Sequence, residues 1–292
     1  MKGIEVYETG KFRFRDDLPT PVPGPGEVRI RVAAAGICGT DVHILKGDPG
    51  LDAMMRYPVV LGHEFCGHVD ALGPGVEGPA VGTYVSAEMH EWCGHCPACK
   101  NGEFHACQFT EIHGLTKDGC FAEYIVLPAA NVVALPDDLP VKGGAILDPL
   151  GNAVHTALKA PVDGANVLVV GYGPIGAMAA EVLAFEGARR VWITDVNPKA
   201  LTRARHWVAH RDLGDRFVVL DVSGDHREPA LRRVLEESRG GPDVALEFSG
   251  HPNGINDALR LVRAAGTVAL LGLPKDSDVV VRDFGRNVVF AA

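Results

Sequence analysis

Val167-Leu168-Val169-Val170 runs directly into Gly171-Tyr172-Gly173-Pro174-Ile175-Gly176. A continuous apolar run of that kind is a strand buried on both faces. The segment from Pro174 to Glu186 reads as a helix, so the three glycines sit between a buried strand and a helix start, which is the context that gives G-x-G-x-x-G its meaning. Gly171 permits a tight turn, Gly173 lets backbone approach a pyrophosphate at the helix N-terminus, and Gly176 lets helix and strand pack closely. The same texture continues through further apolar runs at 190–194, 217–220, 244–248 and 267–271, with a helix near 198–209 between the first two. Alternating strands and helices predict an α/β fold, a doubly wound parallel sheet. Asp195 ends the strand after the glycine motif. A carboxylate there accepts hydrogen bonds from the adenosine ribose and repels a 2′-phosphate, which favours NAD over NADP. Lys199 and Arg203 nearby pull the other way. The candidate cofactor contacts are Gly171, Gly173, Ile175, Gly176, Asp195 and Lys199.

Before residue 154 the chain reads differently. Glu27-Val28-Arg29-Ile30-Arg31-Val32 alternates polar and apolar, as a half-buried strand does. Val59-Val60-Leu61 and Phe121-Ala122-Glu123-Tyr124-Ile125-Val126 are further strands, and many short strands punctuated by glycine make this part β-rich. The chain carries 28 Lys+Arg against 37 Asp+Glu, so it is acidic without a basic run and unsuited to polyanions such as nucleic acid. No apolar run approaches the roughly 20 residues that span a bilayer, and the N-terminus has no apolar signal core. Cytoplasm is the expected location.

The seven cysteines sort into groups. Cys93-Gly94-His95-Cys96-Pro97-Ala98-Cys99 continues to Cys107, and four thiolates at these spacings can close a tetrahedron around a structural zinc. An iron–sulfur cluster is the chemical alternative. His95 and His105 are expected to be solvated, and Cys66 and Cys120 to be core thiols. Cys38-Gly39-Thr40-Asp41-Val42-His43 offers a thiolate, a hydroxyl and an imidazole; Gly62-His63-Glu64 and Asp148 add an imidazole and two carboxylates. That donor set suits a catalytic zinc, which keeps one position open.

With these motifs in view the chain resembles the zinc-dependent medium-chain dehydrogenase/reductase superfamily, and within it the threonine dehydrogenase branch. The resemblance runs from the N-terminal strands to the last residue. It is most specific at Cys38 to His43, Gly62-His63-Glu64, the four-cysteine lobe, Gly119-Cys120-Phe121-Ala122-Glu123-Tyr124 and the tract from Asp148 to Thr156. Gly151-Asn152-Ala153-Val154 is the part that sets this branch apart from many alcohol and polyol relatives, and Ile193-Thr194-Asp195-Val196-Asn197 also reads as in that branch. The resemblance implies a GroES-like zinc-binding catalytic domain over 1–153 and a Rossmann NAD-binding domain over 154–292. It implies Cys38, His63 and Glu64 on catalytic zinc, with Asp148 as an acidic fourth or outer ligand, and Cys93, Cys96, Cys99 and Cys107 on structural zinc. Thr40 and His43 would relay a proton, and His90 would stand near a substrate amine and carboxylate. The implied reaction is oxidation of the β-hydroxyl of L-threonine to 2-amino-3-oxobutanoate with NAD. A polyol or 2,3-butanediol dehydrogenase, or a dinucleotide-binding remnant without turnover, are the alternatives. The implied partner is a small-molecule substrate, with homotetramers in the full-length family.

Two departures from the family stand out. Ala200 occupies the position of a family Arg near the ribose, with Lys199 beside it. The chain stops at Val288-Val289-Phe290-Ala291-Ala292, where the family continues with a last Rossmann strand. The expectation is a sheet lacking that sixth strand, with an open apolar edge that invites pairing with another chain.

Overall fold

The computed structural model describes residues 1–274 and 278–289. The chain divides into two compact units, Met1–Asp148 and Pro149–Ala292. The division falls between Asp148 and Pro149, in the first turn of the helix Leu147–Ala157.

The first unit is β-rich. Its strands are β1 (Gly3–Glu8), β2 (Lys11–Arg15), β3 (Glu27–Gly36), β4 (Val59–Val60), β5 (Glu64–Leu72), β6 (Tyr84–Ala87), β7 (His90–Glu91), β8 (Glu111–Ile112), β9 (Tyr124–Pro128) and β10 (Val132–Ala134). A five-stranded sheet has the order β10-β6-β5-β3-β9, and a smaller one the order β2-β1-β4. The alternation read in Glu27–Val32 is what β3 uses: Val28 and Ile30 are fully buried, while Glu27, Arg29 and Arg31 face outward. They pack with Phe65, Val69, Val85, Ile125 and Leu127, so the core lies on one face of the sheet. β9 begins three residues later than the apolar pattern at 121–126 suggests. Phe121 is occupied elsewhere: its N–H donates to Leu61 O and its carbonyl accepts from Ile4 N. Cys66 and Cys120 are buried thiols, as expected.

The second unit holds β11 (Asn166–Val170), β12 (Arg190–Asp195), β13 (Phe217–Asp221), β14 (Val244–Glu247) and β15 (Thr267–Leu270), all parallel, in the order β13-β12-β11-β14-β15. Helices Pro174–Phe185, Pro198–His210, Arg227–Ser238 and Pro252–Leu261 connect them. The continuous apolar run of β11 serves two cores. Val167 and Val169 pack on one face with Val191, Ile193 and Leu183; Leu168 and Val170 pack on the other with Trp192, Leu231 and Leu261. The strand order reverses between β11 and β14, and the carboxyl ends of such neighbours are where open α/β sheets bind ligands. Among the described residues the parallel sheet has five strands, and Val279-Val280-Val281 is irregular. Phe290, Ala291 and Ala292 lie outside the described residues. Among those residues no helix is long and apolar enough to cross a membrane.

The turn after β11 depends on close backbone approach. Gly171 has φ +93°, and a Cβ on Gly176 would sit 2.1 Å from Gly171 O. Gly176→Ala is therefore expected to lower stability by about 1–3 kcal/mol, the usual penalty for overpacking. The measurement is the urea midpoint of unfolding; an unchanged midpoint would mean that turn and helix separate freely.

Candidate metal and cofactor sites

β3 delivers the first ligand candidate. Cys38 follows Gly36 by two residues and caps the helix Gly39–Leu45 in an extended conformation. Its N–H donates to Asp41 Oδ2 at 2.8 Å, the back-reaching half of a capping box. β5 delivers the second and third. It pairs antiparallel with β3 so that Glu64 lies opposite Gly36, with His63 just before the strand. A Cβ on residue 36 would meet Glu64 Oε2 at 2.3 Å, so the glycine makes room for the carboxylate. Cys38 Sγ, a ring nitrogen of His63 and a carboxylate oxygen of Glu64 lie within 4.8 Å of one another.

The surroundings of this cluster are acidic. Asp41 is buried, and its Oδ1 makes no hydrogen bond but faces His63 Nδ1, itself unpaired, at 3.8 Å. Burial opposes charge on His63, yet Cys38, Asp41 and Asp148 outweigh it and raise the imidazole pKa to about 9. Burial likewise pushes the Glu64 and Asp148 carboxyls up. A thiol, an imidazole and a carboxylate converge here amid further acids, with two buried polar atoms unsatisfied. The donor set fits zinc. Asp148, in the first turn of its helix, is close enough to act on His63 but stands outside the group of mutually adjacent donors.

The helix after Cys38 sorts its residues by face. Asp41 and Ile44 point inward; Thr40 and His43, three apart, share another face. Thr40 Oγ1 is 3.6 Å from Cys38 Sγ, and His43 is exposed with Nδ1 3.4 Å from Asp48 Oδ2. His90 opens β7. Its Nδ1 lies 2.6 Å from Glu88 Oε1, and its N–H donates to the same oxygen. That bond raises the His90 pKa against the effect of burial, with Glu88 and Asp148 adding and His63 subtracting. Asp41 and Glu88 went unassigned in the sequence; the spacing of Asp41 three residues after the capping Cys38 was a usable signal.

The four-cysteine lobe forms one cluster, all four sulfurs within 4.8 Å of one another. Cys93 Sγ to Cys99 Sγ is 4.0 Å and Cys96 Sγ to Cys107 Sγ 3.9 Å. A tetrahedron of thiolates with Zn–S bonds of about 2.3 Å has edges of about 3.8 Å, so the lobe fits a zinc ion; these separations are far too long for disulfides. Backbone N–H groups of Cys93 and Phe109 donate to Cys107 Sγ, and with the first as the main cause its pKa falls to about 6. Burial pushes Cys99 up to about 12. His95 is exposed, but its Nδ1 lies 2.8 Å from Cys93 O, so it also clasps the lobe's own backbone.

In the second unit a Cβ on Gly173 would meet nothing within 4 Å, leaving open space at the start of helix Pro174–Phe185. Ile175 and Gly176 face inward from its first turn. Asp195 Oδ2 accepts from Tyr172 N in the glycine turn, and Oδ1 from Asn197 N, both at 2.7 Å. Each oxygen keeps a lone pair for another donor, so turn, helix start and acid fit a dinucleotide. Lys199 is exposed, whereas Ala200 is buried against the core, so only the former can offer a cation to a ligand.

Residues 24–137 match the alcohol dehydrogenase GroES-like domain, and residues 174–289 match the zinc-binding dehydrogenase family. An L-threonine 3-dehydrogenase of Legionella pneumophila, strain Philadelphia 1, is 43% identical over 259 residues, covering 88% of this chain and 73% of that protein. A solved structure from Sinorhizobium meliloti 1021 bound to NADP superposes with a TM-score of 0.87 at 29% identity, covering 99% of this chain and 81% of that one. A short chain alcohol dehydrogenase of Escherichia coli CFT073 complexed with NADH does so with a TM-score of 0.84 at 29% identity, covering 98% and 81%. A β-rich unit with two clusters of zinc-binding donors, a doubly wound unit with a glycine turn and a strand-end acid, and relatives matched along nearly the whole chain have one reading: this chain is an oxidoreductase that belongs to the zinc-dependent alcohol dehydrogenases of the medium-chain dehydrogenase/reductase superfamily.

Proposed function

We propose that the chain oxidises the β-hydroxyl of L-threonine to 2-amino-3-oxobutanoate with NAD. The observation that carries this reading is the convergence of Cys38, His63 and Glu64 within 4.8 Å; the threonine dehydrogenase relative at 43% identity supports the choice of substrate. Cys38, His63 and Glu64 would hold a catalytic zinc, with Asp148 as an outer or exchanging acid, and Cys93, Cys96, Cys99 and Cys107 a structural one. When bound, zinc supplies Lewis acidity toward the hydroxyl and NAD supplies the hydride acceptor.

The remaining work falls to the chain's own side chains. Asp41 faces Nδ1 of His63 and fixes the ring, as outer carboxylates do for ligating imidazoles. The Thr40 hydroxyl beside Cys38 and the exposed His43 beside Asp48 lie on one helix face and offer a proton route to water. The Glu88 carboxylate raises the His90 pKa and so favours the charged imidazole, which can face a substrate carboxylate while Glu88 faces a substrate amine. Asp195 accepts from the ribose hydroxyls while holding the glycine turn. All seven thiols are free, which suits a reducing compartment, read here as the cytoplasm. A homotetramer is the assembly proposed.

Two zinc ions of unequal lability are expected. The four-thiolate site is closed and resists chelation, whereas the Cys38 site keeps an open position. Metal content followed against activity during mild chelation checks this; activity that outlasts the labile zinc would refute the catalytic assignment. For Asp195→Ala, losing a charge-assisted contact is expected to weaken NAD binding by about 1.5–3 kcal/mol, roughly ten- to a hundredfold, and to relax discrimination against NADP. Calorimetric titration with NAD reads it out, and an unchanged affinity would place the ribose elsewhere. His90→Ala is expected to lower turnover of L-threonine relative to 2,3-butanediol in a substrate panel with NAD. A constant ratio would make His90 a surface residue, and a panel favouring the diol in the unmodified protein would point to a polyol dehydrogenase.

A further inference from the structure

We propose that Asp221 is a second carboxylate by which the nucleotide-binding sheet rejects a 2′-phosphate, acting beside Asp195. The inference rests on the reading that the chain prefers NAD. β12 and β13 are parallel with Asp195 opposite Asp221, and each acid is the last residue of its strand. Neighbours in register share a face of a pleated sheet, about 4.8 Å apart. The two carboxylates therefore leave the sheet side by side. Asp195 marks this as the nucleotide end, since it holds Tyr172 N of the glycine turn. The two strand ends are tied together as well, Val222 N donating to Asp195 O at 3.1 Å.

Asp221 is an anion at neutral pH. Its Oδ1 accepts from Ser223 N at 2.8 Å, and the hydrogen bonds from Ser223, with His226 and Arg205 nearby, hold its pKa below the usual carboxylate value. Cations for a phosphate are not lacking. The helix Pro198–His210 carries Lys199, Arg203 and Arg205, all exposed. With cations at hand, exclusion of a 2′-phosphate falls to the acids. A phosphate monoester carries close to two charges at neutral pH, so a second carboxylate opposes it directly. The fold alone does not dictate the choice, because solved relatives of this architecture carry NADP in one case and NADH in another.

The test is the dissociation constant of the purified protein for NADH and NADPH by cofactor fluorescence, with ADP and 2′,5′-ADP as competitors that lack the nicotinamide. Asp221→Asn keeps an acceptor for Ser223 N and is expected to shift the NADPH-to-NADH affinity ratio about tenfold toward NADPH, as removal of a unit charge at short range through partly aqueous surroundings predicts. The ADP pair is expected to shift alike, and high salt to shrink the difference. Should Asp221→Asn fail to fold, Asp221→Ser gives the same reading. A ratio unchanged within about twofold in a folded variant, with the unmodified protein preferring NADH, overturns the proposal alone. A preference of the unmodified protein for NADPH overturns the NAD reading, and the proposal with it.

Discussion

Gly36 opposite Glu64 is the contact on which the metal chemistry of the first unit depends. β3 and β5 run antiparallel, and this pairing closes their ladder. It brings Glu64 and the adjacent His63 alongside the point where the chain leaves β3 for Cys38. A one-residue slip would turn Glu64 to the other face and set a side-chain-bearing residue against it. The lack of a side chain at 36 leaves space for a buried carboxylate, which a Cβ would invade at 2.3 Å. The helix that starts at Cys38 then locks the geometry from the other side. Asp41 reaches back to the Cys38 N–H with one oxygen and presents the other to His63. One acid thus caps a helix and orients an imidazole, so helix formation and site formation are the same event.

The second unit solves a related problem three times over. β12, β13 and β14 end in Asp195, Asp221 and Glu247, and each carboxylate accepts the N–H two residues further on, from Asn197, Ser223 and Ser249. A side chain that takes its own downstream N–H ends a strand and opens a turn. The result is a row of acids along the edge where helix N-termini begin, and helix dipoles favour negative charge there. Their burial separates their roles. Glu247 is fully buried and also accepts from Gly250 N, so burial raises its pKa and it serves the loop. Asp195 and Asp221 are only partly buried and remain available to a ligand.

What was legible in the sequence follows the strength of the periodic signal. The five parallel strands form within a residue or two of their apolar runs, because a strand covered on both faces must be apolar throughout. Helices Arg227–Ser238 and Pro252–Leu261 carry apolar residues at helical spacing but no continuous apolar run. Their contact faces are a few residues, Ala230, Leu231 and Val234 in one and Ile255, Ala258 and Leu261 in the other, amid polar neighbours. Phe121 was read into a strand because an apolar residue looks alike whether it extends β9 or packs across Gly62. Ligand candidates were legible because donor chemistry is written in residue type. The groups behind them were not: Asp41 and Glu88 act through placement, and an acid two or three residues from its partner is common in any loop.

The two donor clusters also differ in what supports them. The Cys38 cluster hangs on a long sheet and a helix with an apolar core, Val28, Ile30, Phe65 and Val69 being packed beneath. The cysteine lobe has little regular structure, only the short helix Pro97–Lys100 and a single 3₁₀ turn. Its buried residues are Cys96, Cys99 and Cys107 themselves, with Trp92 and Ala98 against them and the Phe104 ring tilted against Trp92, centroids 4.9 Å apart. Sulfur is the core of that lobe. Four thiols gathered within 4.8 Å repel one another once ionised, and the backbone N–H groups of Cys93, Cys96, Cys99 and Phe109 that donate to them offset only part of that. A bound cation neutralises the rest, so metal binding there is folding energy for the lobe. The donors of the other cluster stand on strands and a helix that pack on an apolar core of their own, so less of their support depends on a bound metal.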